Sequence, residues 1–106
     1  MHHLKWSDRE KKLCRQVYDS ALERELAETV AEFKRLAAQV ATAADMWPLQ
    51  EFLHRRQRDI DYKYDYRYSQ LPMVFGRLLR EGRIKEEALA GLSEDKLAAI
   101  RLYAGL

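Results

Sequence analysis

SDREKKLCRQVYDSALERELAETVAEFKRLAAQVATAA, residues Ser7 to Ala44, contains neither glycine nor proline. Alanine, glutamate, lysine, arginine and leucine dominate it, and these are the strongest helix formers. Ser7 followed three places later by Glu10 is a capping box, with Trp6 placed to staple back onto the first turn. The pattern predicts one helix over 8–44, about 50 Å long at ~1.5 Å per residue. A single globule of this chain length does not span that distance. Leu26, Phe33, Val40 and Trp47 stand seven apart, and Leu22, Leu36 and Ala43 fill companion heptad positions. Such a stripe is expected to lie against a second copy of the chain, because isologous pairing is the commonest way for a small protein to bury such a face. Packing of the stripe on the chain's own second helix is the alternative.

The next stretch, Asp45 to Gly82, reads DMWPLQEFLHRRQRDIDYKYDYRYSQLPMVFGRLLREG. Asp45 is a helix cap and Pro48 fits a first turn, where its missing N–H costs nothing. Leu49, Leu53, Ile60 and Tyr64 then recur at helical spacing, with Glu51, His54, Arg55, Arg58, Asp59, Lys63 and Arg67 mostly on other faces. Tyr62, Tyr64, Tyr66 and Tyr68 alternate as in a strand. The helical flanks and the lack of any partner strand favour continuing the helix over 47–68. After Pro72 comes an apolar run, Met73, Val74, Phe75, Leu78 and Leu79, ending at Gly82, a residue suited to a left-handed helix terminus. Helices are expected at 71–81, 84–90 and 94–104, the last with Ser93 as N-cap and Asp95 in its first turn. The fold class is therefore all-α: long helical arms forming a homodimer, with a small C-terminal head. Residues 1–106 read as a single domain, with 7–70 as arms for dimerisation and 71–106 as head.

A chain of 106 residues can only just bury a useful core alone. Its 19 basic and 17 acidic residues nearly cancel, so a net charge of +2 gives no pull toward nucleic acid or membrane. One cysteine, Cys14, excludes an internal disulfide and reads as a buried thiol, compatible with a reducing cytoplasm. No apolar run approaches the ~18 residues of a membrane span, and no export leader is recognisable. Cytoplasmic localisation is expected. His2 and His3 receive no role. His54, with Glu51 and Arg58 at helical spacing, lacks the converging ligands of a metal or general-base site and reads as a surface or interface side chain. There is no glycine-rich phosphate loop, serine elbow or cysteine pair, so catalytic residues, metal and cofactor are all expected to be absent. The basic run His54, Arg55, Arg56, Arg58, followed by tyrosines, suggests nucleic acid. Glu51, Asp59, Asp61 and Asp65 in the same stretch oppose that reading. Tyrosine, tryptophan and arginine together are the composition of a protein-binding surface, which is preferred.

The middle of the chain resembles the fluorescence recovery protein family of cyanobacteria. The residues that carry the resemblance are Asp45, Trp47, Leu49, Phe52-Leu53, Ile60-Asp61, Lys63-Tyr64-Asp65, Arg67, Phe75, Leu78-Leu79 and Glu81-Gly82. Arg24-Glu25-Leu26 upstream and Asp95-Lys96 downstream stand at the family's distances. The resemblance implies an all-helical antiparallel homodimer with a helical head, acting without chemistry of its own. It also implies a partner, the C-terminal domain of photoactivated orange carotenoid protein, whose return to the resting orange form is accelerated. By this likeness Trp47, Leu49 and Glu51 sit on the dimer and partner surface. Gln50, Phe52, His54, Gln57, Phe33, Val40 and the head residue Phe75 are expected on or near it. The chain departs from the family at Gln57, where an arginine is expected, at Gln50 and Glu51, which replace histidine and aspartate, at Met73 for an aromatic residue, and at Ala99 for lysine. These departures leave open a dimeric interaction or stress protein with a different partner.

Overall fold

The computed structural model describes residues 4–106, which leaves His2 and His3 outside it. Four α-helices follow in order: α1 (Asp8–Ala37), α2 (Met46–Lys63), α3 (Leu71–Arg80) and α4 (Glu94–Ala104), with 3-10 turns at Ala43–Asp45 and Glu86–Leu89. The described residues contain no strand, in agreement with the all-α expectation. The molecule measures 54 × 25 × 25 Å with a radius of gyration of 17.0 Å. A compact chain of this length would have about 13 Å.

The capping box forms as read: the Ser7 amide donates to Glu10 Oε1 at 3.0 Å and the Glu10 amide to Ser7 Oγ at 3.1 Å. The helix it opens stops at Ala37 rather than Ala44. No glycine or proline stops it. Asp45 Oδ2 accepts from the amides of Ala41 and Thr42, each at 3.0 Å, and holds Thr42 extended. The carboxylate therefore caps the preceding turn, and its side chain makes no cap bond to α2. Those two amide hydrogen bonds hold the Asp45 carboxyl below its usual range.

The tyrosine ladder is the second departure. α2 ends at Lys63, and Tyr64 leaves helical geometry at φ −97°, ψ 84°. The alternation reports a non-helical segment that pairs with no strand and is tightened where the Arg67 amide donates to the Asp65 carbonyl at 2.9 Å. Tyr64 and Tyr66 turn onto α1 and meet Tyr18 edge-on with centroids 5.4 and 4.7 Å away, and Tyr68 lies 5.7 Å from Trp6, just before that helix. Aromatic packing on α1, absent from local propensity, overrides the helix. Tyr62, still on the helix, is 82 % exposed.

The head follows the sequence more closely. Gly82 takes φ +74°, and the Arg83 amide reaches back to the Leu78 carbonyl at 2.9 Å to close α3. α3 and α4 cross closely because position 76 has no side chain: a Cβ there would lie 2.5 Å from Tyr103 Cβ and 2.9 Å from the Ile100 carbonyl. The helix expected over 84–90 is only the 3-10 turn Glu86–Leu89, leading through Gly91 to α4. Ser93 occupies the N-cap position, but its hydroxyl bonds Asp95 and Lys96 side chains instead of an α4 amide.

Leu71, Phe75, Leu78, Leu89, Ile100 and Cys14 are the largest fully buried side chains of the core. Burial pushes the Cys14 thiol up to about 12, as befits the expected inert thiol. The core draws on the first half of α1, through Tyr18 and Ala21, and on Ile60 and Tyr64. Between residues 26 and 59 no side chain is buried. Burial thus separates a body, formed by 8–25 with 60–104, from a projecting hairpin arm of 26–59.

Candidate protein-interaction site

At ~100° per residue, Leu49, Phe52, Leu53, Arg56 and Ile60 share one face of α2. Leu49, Phe52 and Arg56 are half-buried there and Ile60 is buried. Arg56 links this face to α1, donating to Thr29 Oγ1 at 3.2 Å while its guanidinium lies 5.1 Å from the Phe52 ring centre. To one side of it stand Trp47, Gln50, His54 and Gln57, within a sector of about 80°, and all four are exposed. Glu51 borders them, reaching Arg55 at 3.4 Å. The structure therefore splits the α2 site residues into an outward group and a pair, Leu49 and Phe52, turned toward α1.

Phe33 is half-buried on α1, and Val40 is half-buried in the turn beyond it. The seven-residue repeat through Leu26, Phe33, Val40 and Trp47 consequently runs across a helix, a turn and a second helix. Phe75 is a correction: it is fully buried in the head, so it cannot touch a partner. Its apolar neighbours in α3 follow the helical period inward, and Phe75 lies at the centre of that face.

The arm also exposes apolar side chains that heptad counting missed: Val30 at 52 %, Met46 at 45 % and Leu53 at 39 %, beside Leu26 at 45 % and Trp47 at 62 %. A second exposed set lies on the head, at Met73, Leu102, Tyr103 and Leu106. Two shallow grooves join these regions. One is lined by Glu51, His54 and Arg58, the other by Met73, Arg80 and Tyr103, and both share Asp61, Tyr62 and Arg77.

Where the arm leaves the body, charge is buried. Lys63, the last residue of α2, donates to Glu25 Oε2 of α1 at 2.6 Å and to Glu81 Oε1 at the end of α3 at 2.8 Å. Tyr64 donates to Glu25 Oε1 at 2.7 Å. Arg83 Nε stands 3.2 Å from Glu25 and 3.1 Å from Glu81, and Arg77 Nε donates to Glu81 Oε2 at 2.8 Å. The side chains of Lys63 and Glu25 are only 5 and 7 % exposed. Burial alone would raise the Glu81 carboxyl, but hydrogen bonds from Lys63 and Arg77 hold it down at about 2. Burial and the Glu25 carboxylate push the Tyr64 phenol up. No buried side-chain nitrogen or oxygen among the described residues lacks a partner. Glu25, Lys63 and Glu81 are far apart in sequence and gave no local signal of meeting.

An extended helical hairpin with uncovered aromatic and apolar side chains, mounted on a compact helical head, defines the class: an all-α protein with a large exposed arm. The chain belongs to the fluorescence recovery protein family: residues 6–104 match the family described as photoprotection regulator fluorescence recovery protein. It is 36 % identical over 101 residues to the fluorescence recovery protein of Synechocystis, covering 95 % of this chain and 93 % of that one. The structure of the Fremyella diplosiphon fluorescence recovery protein superposes with a TM-score of 0.89 at 34 % identity, covering 96 % of this chain and all of that one. The Synechocystis structure gives 0.89 at 35 % identity with the same coverage. The protein is a photoprotection regulator of this family. No described helix is long and apolar enough to cross a membrane.

Proposed function

We propose that two copies of this chain pair through their arms and bind the C-terminal domain of photoactivated orange carotenoid protein, accelerating its return to the resting orange form. The observation that carries the reading is the arm itself, which fully buries no side chain between residues 26 and 59 yet exposes Leu26, Val30, Met46 and Trp47. Exposed apolar side chains in this number are what protein interfaces cover. In the dimer, Trp47 is the exposed anchor of the pairing surface, with Phe33 and Val40 beside it, while Leu49 and Phe52 hold the two arm helices together beneath. Gln50, Glu51, His54 and Gln57 face the carotenoid protein. The protein works in the cytoplasm without cofactor, metal, nucleic acid or catalytic chemistry. It acts by differential binding, holding the partner's compact conformer or the barrier leading to it more tightly than the activated form. A tenfold acceleration needs only about 1.4 kcal/mol of such preference.

The test is to mix the purified protein with light-activated orange carotenoid protein and follow the red-to-orange absorbance change in darkness. Recovery is expected to quicken with added protein until it saturates. Gln57→Arg is expected to strengthen the effect, since an amide does not replace a bidentate guanidinium. An unchanged recovery rate at excess of both the native chain and Gln57→Arg overturns the proposal.

A further inference from the structure

The buried charges at the root of the arm are more than the junction needs for stability. Replacing a buried ion pair by apolar groups of similar volume is often neutral or stabilising, because desolvation offsets much of the attraction. A charged cluster differs from an apolar one in geometry. Lys63 Nζ reaches Glu25 and Glu81 together only when α1, the end of α2 and the end of α3 stand in one arrangement. A rotated arm would leave a buried charge unpaired, whereas an apolar joint would tolerate the rotation.

The place of the cluster is equally specific. α3 and α4 contact each other far more than they contact α2, and α1 joins their core only through its first half, so the arm beyond Glu25 meets the body at few points. Burial ends at Glu25 on α1 and resumes at Ile60 on α2, which puts the cluster at the joint. Arg24 adds a strut from α1 to the head, donating to the Arg83 carbonyl at 3.1 Å. The grooves of arm and head meet at Tyr62 and Arg77, and Lys63 lines the head groove. A partner lying along both grooves would cross the joint.

We propose that the Glu25, Lys63 and Glu81 cluster is a positioning device that fixes the angle between arm and head, so that both surfaces engage one protein partner at once. The coupling to activity rests on the function proposed above; the angle itself does not. The test compares the native chain with the double variant Glu25→Gln/Lys63→Met. Spin labels are placed at Thr42→Cys and Ala98→Cys in a Cys14→Ala background, in dimers diluted with unlabelled protein. The expected result is a broadened arm-to-head distance distribution with unchanged helicity. In the dark-recovery assay the half-saturating concentration stays within about twofold while the plateau acceleration falls roughly threefold or more, the split expected when initial binding survives and the accelerating arrangement does not. A distribution as narrow as that of the native chain overturns the proposal, as does a broadened one with an unaltered plateau. If the native chain accelerates nothing, the function proposed above fails and the distance distribution alone decides the angle. Should the double variant not fold, Glu81→Ala, which removes only the head's side of the cluster, carries the same comparison.

Discussion

Residues 8–25 and 60–104 enclose a core in which Phe75, Leu71, Leu78, Leu89 and Ile100 are all but inaccessible, whereas residues 26–59 bury no side chain at all. Both regions are helical, and both carry apolar residues at helical spacing. They differ in what lies opposite those residues. In the body, α1, α3 and α4 converge from different directions. In the arm two helices run side by side, and a pair of helices has an outside everywhere except along one seam. The arm therefore has a stable seam, of Leu49, Phe52 and Arg56 against α1, and an uncovered flank. An apolar residue in the body serves folding, and an apolar residue on the arm's flank is free to serve association.

The largest effect is expected where the body is most closed. Phe75→Ala removes a fully buried ring and should cost about 3–5 kcal/mol. Urea denaturation followed by circular dichroism would show it as a lower midpoint. Phe33→Ala, on the half-buried arm, should cost markedly less when measured at concentrations where the chain is monomeric. Equal losses at the two positions would erase the distinction between body and arm.

An effect on association comes next. Trp47→Glu puts a charge on the arm's exposed surface while leaving the body untouched. Loss of a buried aromatic anchor costs at least about 2 kcal/mol, or roughly thirtyfold in dissociation constant. Sedimentation equilibrium should show native chains as dimers at micromolar concentration and the variant displaced toward monomer, with an unaltered body by circular dichroism. A native chain that sediments as a monomer would break the account of the arm. A Trp47→Glu chain that remains fully dimeric would move the interface off α2's outward face.

Legibility in the sequence followed the same division. The capping box at Ser7 and Glu10, the stop at Gly82 and the end of α4 were readable because each is settled by a few neighbouring side chains. Ala38 to Ala44 misled because residues with good helix propensity are held out of a helix by one carboxylate, Asp45, which was read as a cap for the helix after it. The tyrosines from 64 to 68 carried a true period-two signal whose cause, Tyr18 on α1 and Trp6 just before it, lies far away in the sequence. Trp47, Gln50, Glu51, His54 and Gln57 were recognisable as surface from spacing and family likeness. Phe75 shared the likeness but belongs to the core, since a shared residue can mark packing as well as contact. Lys63, Glu25 and Glu81 were likewise among the marks of resemblance, but spacing gave no hint that the three touch.

A smaller signal, confined to the body, tests whether its polar contacts are as complete as its apolar ones. Glu10 is 7 % exposed. Its Oε1 accepts from the Ser7 amide at 3.0 Å and faces Lys96 Nζ at 3.0 Å, while Oε2 accepts from the Ser93 amide at 2.8 Å. Burial alone would raise its carboxyl, but the two amides and Lys96 outweigh that and bring it from 4.5 down to about 2. A carboxyl whose value falls on folding contributes stability that is present above its unfolded value and lost as pH drops through its folded value. The contribution should therefore be complete above about pH 5 and fade between there and pH 2. Glu10→Gln keeps the shape, but its NH2 cannot accept what the second oxygen accepts. It should cost about 1.5 kcal/mol near neutrality. Protonated glutamate and glutamine are nearly alike, so the difference in urea midpoint between native and variant chains should shrink steadily as pH is lowered from 5 toward 2. Glu81 titrates over the same range in both proteins and cancels from the difference. A gap that stays constant across that range would mean that the loss comes from the misplaced amide NH2 and not from the missing carboxylate charge, and the polar closure assigned to the body would be wrong at this position.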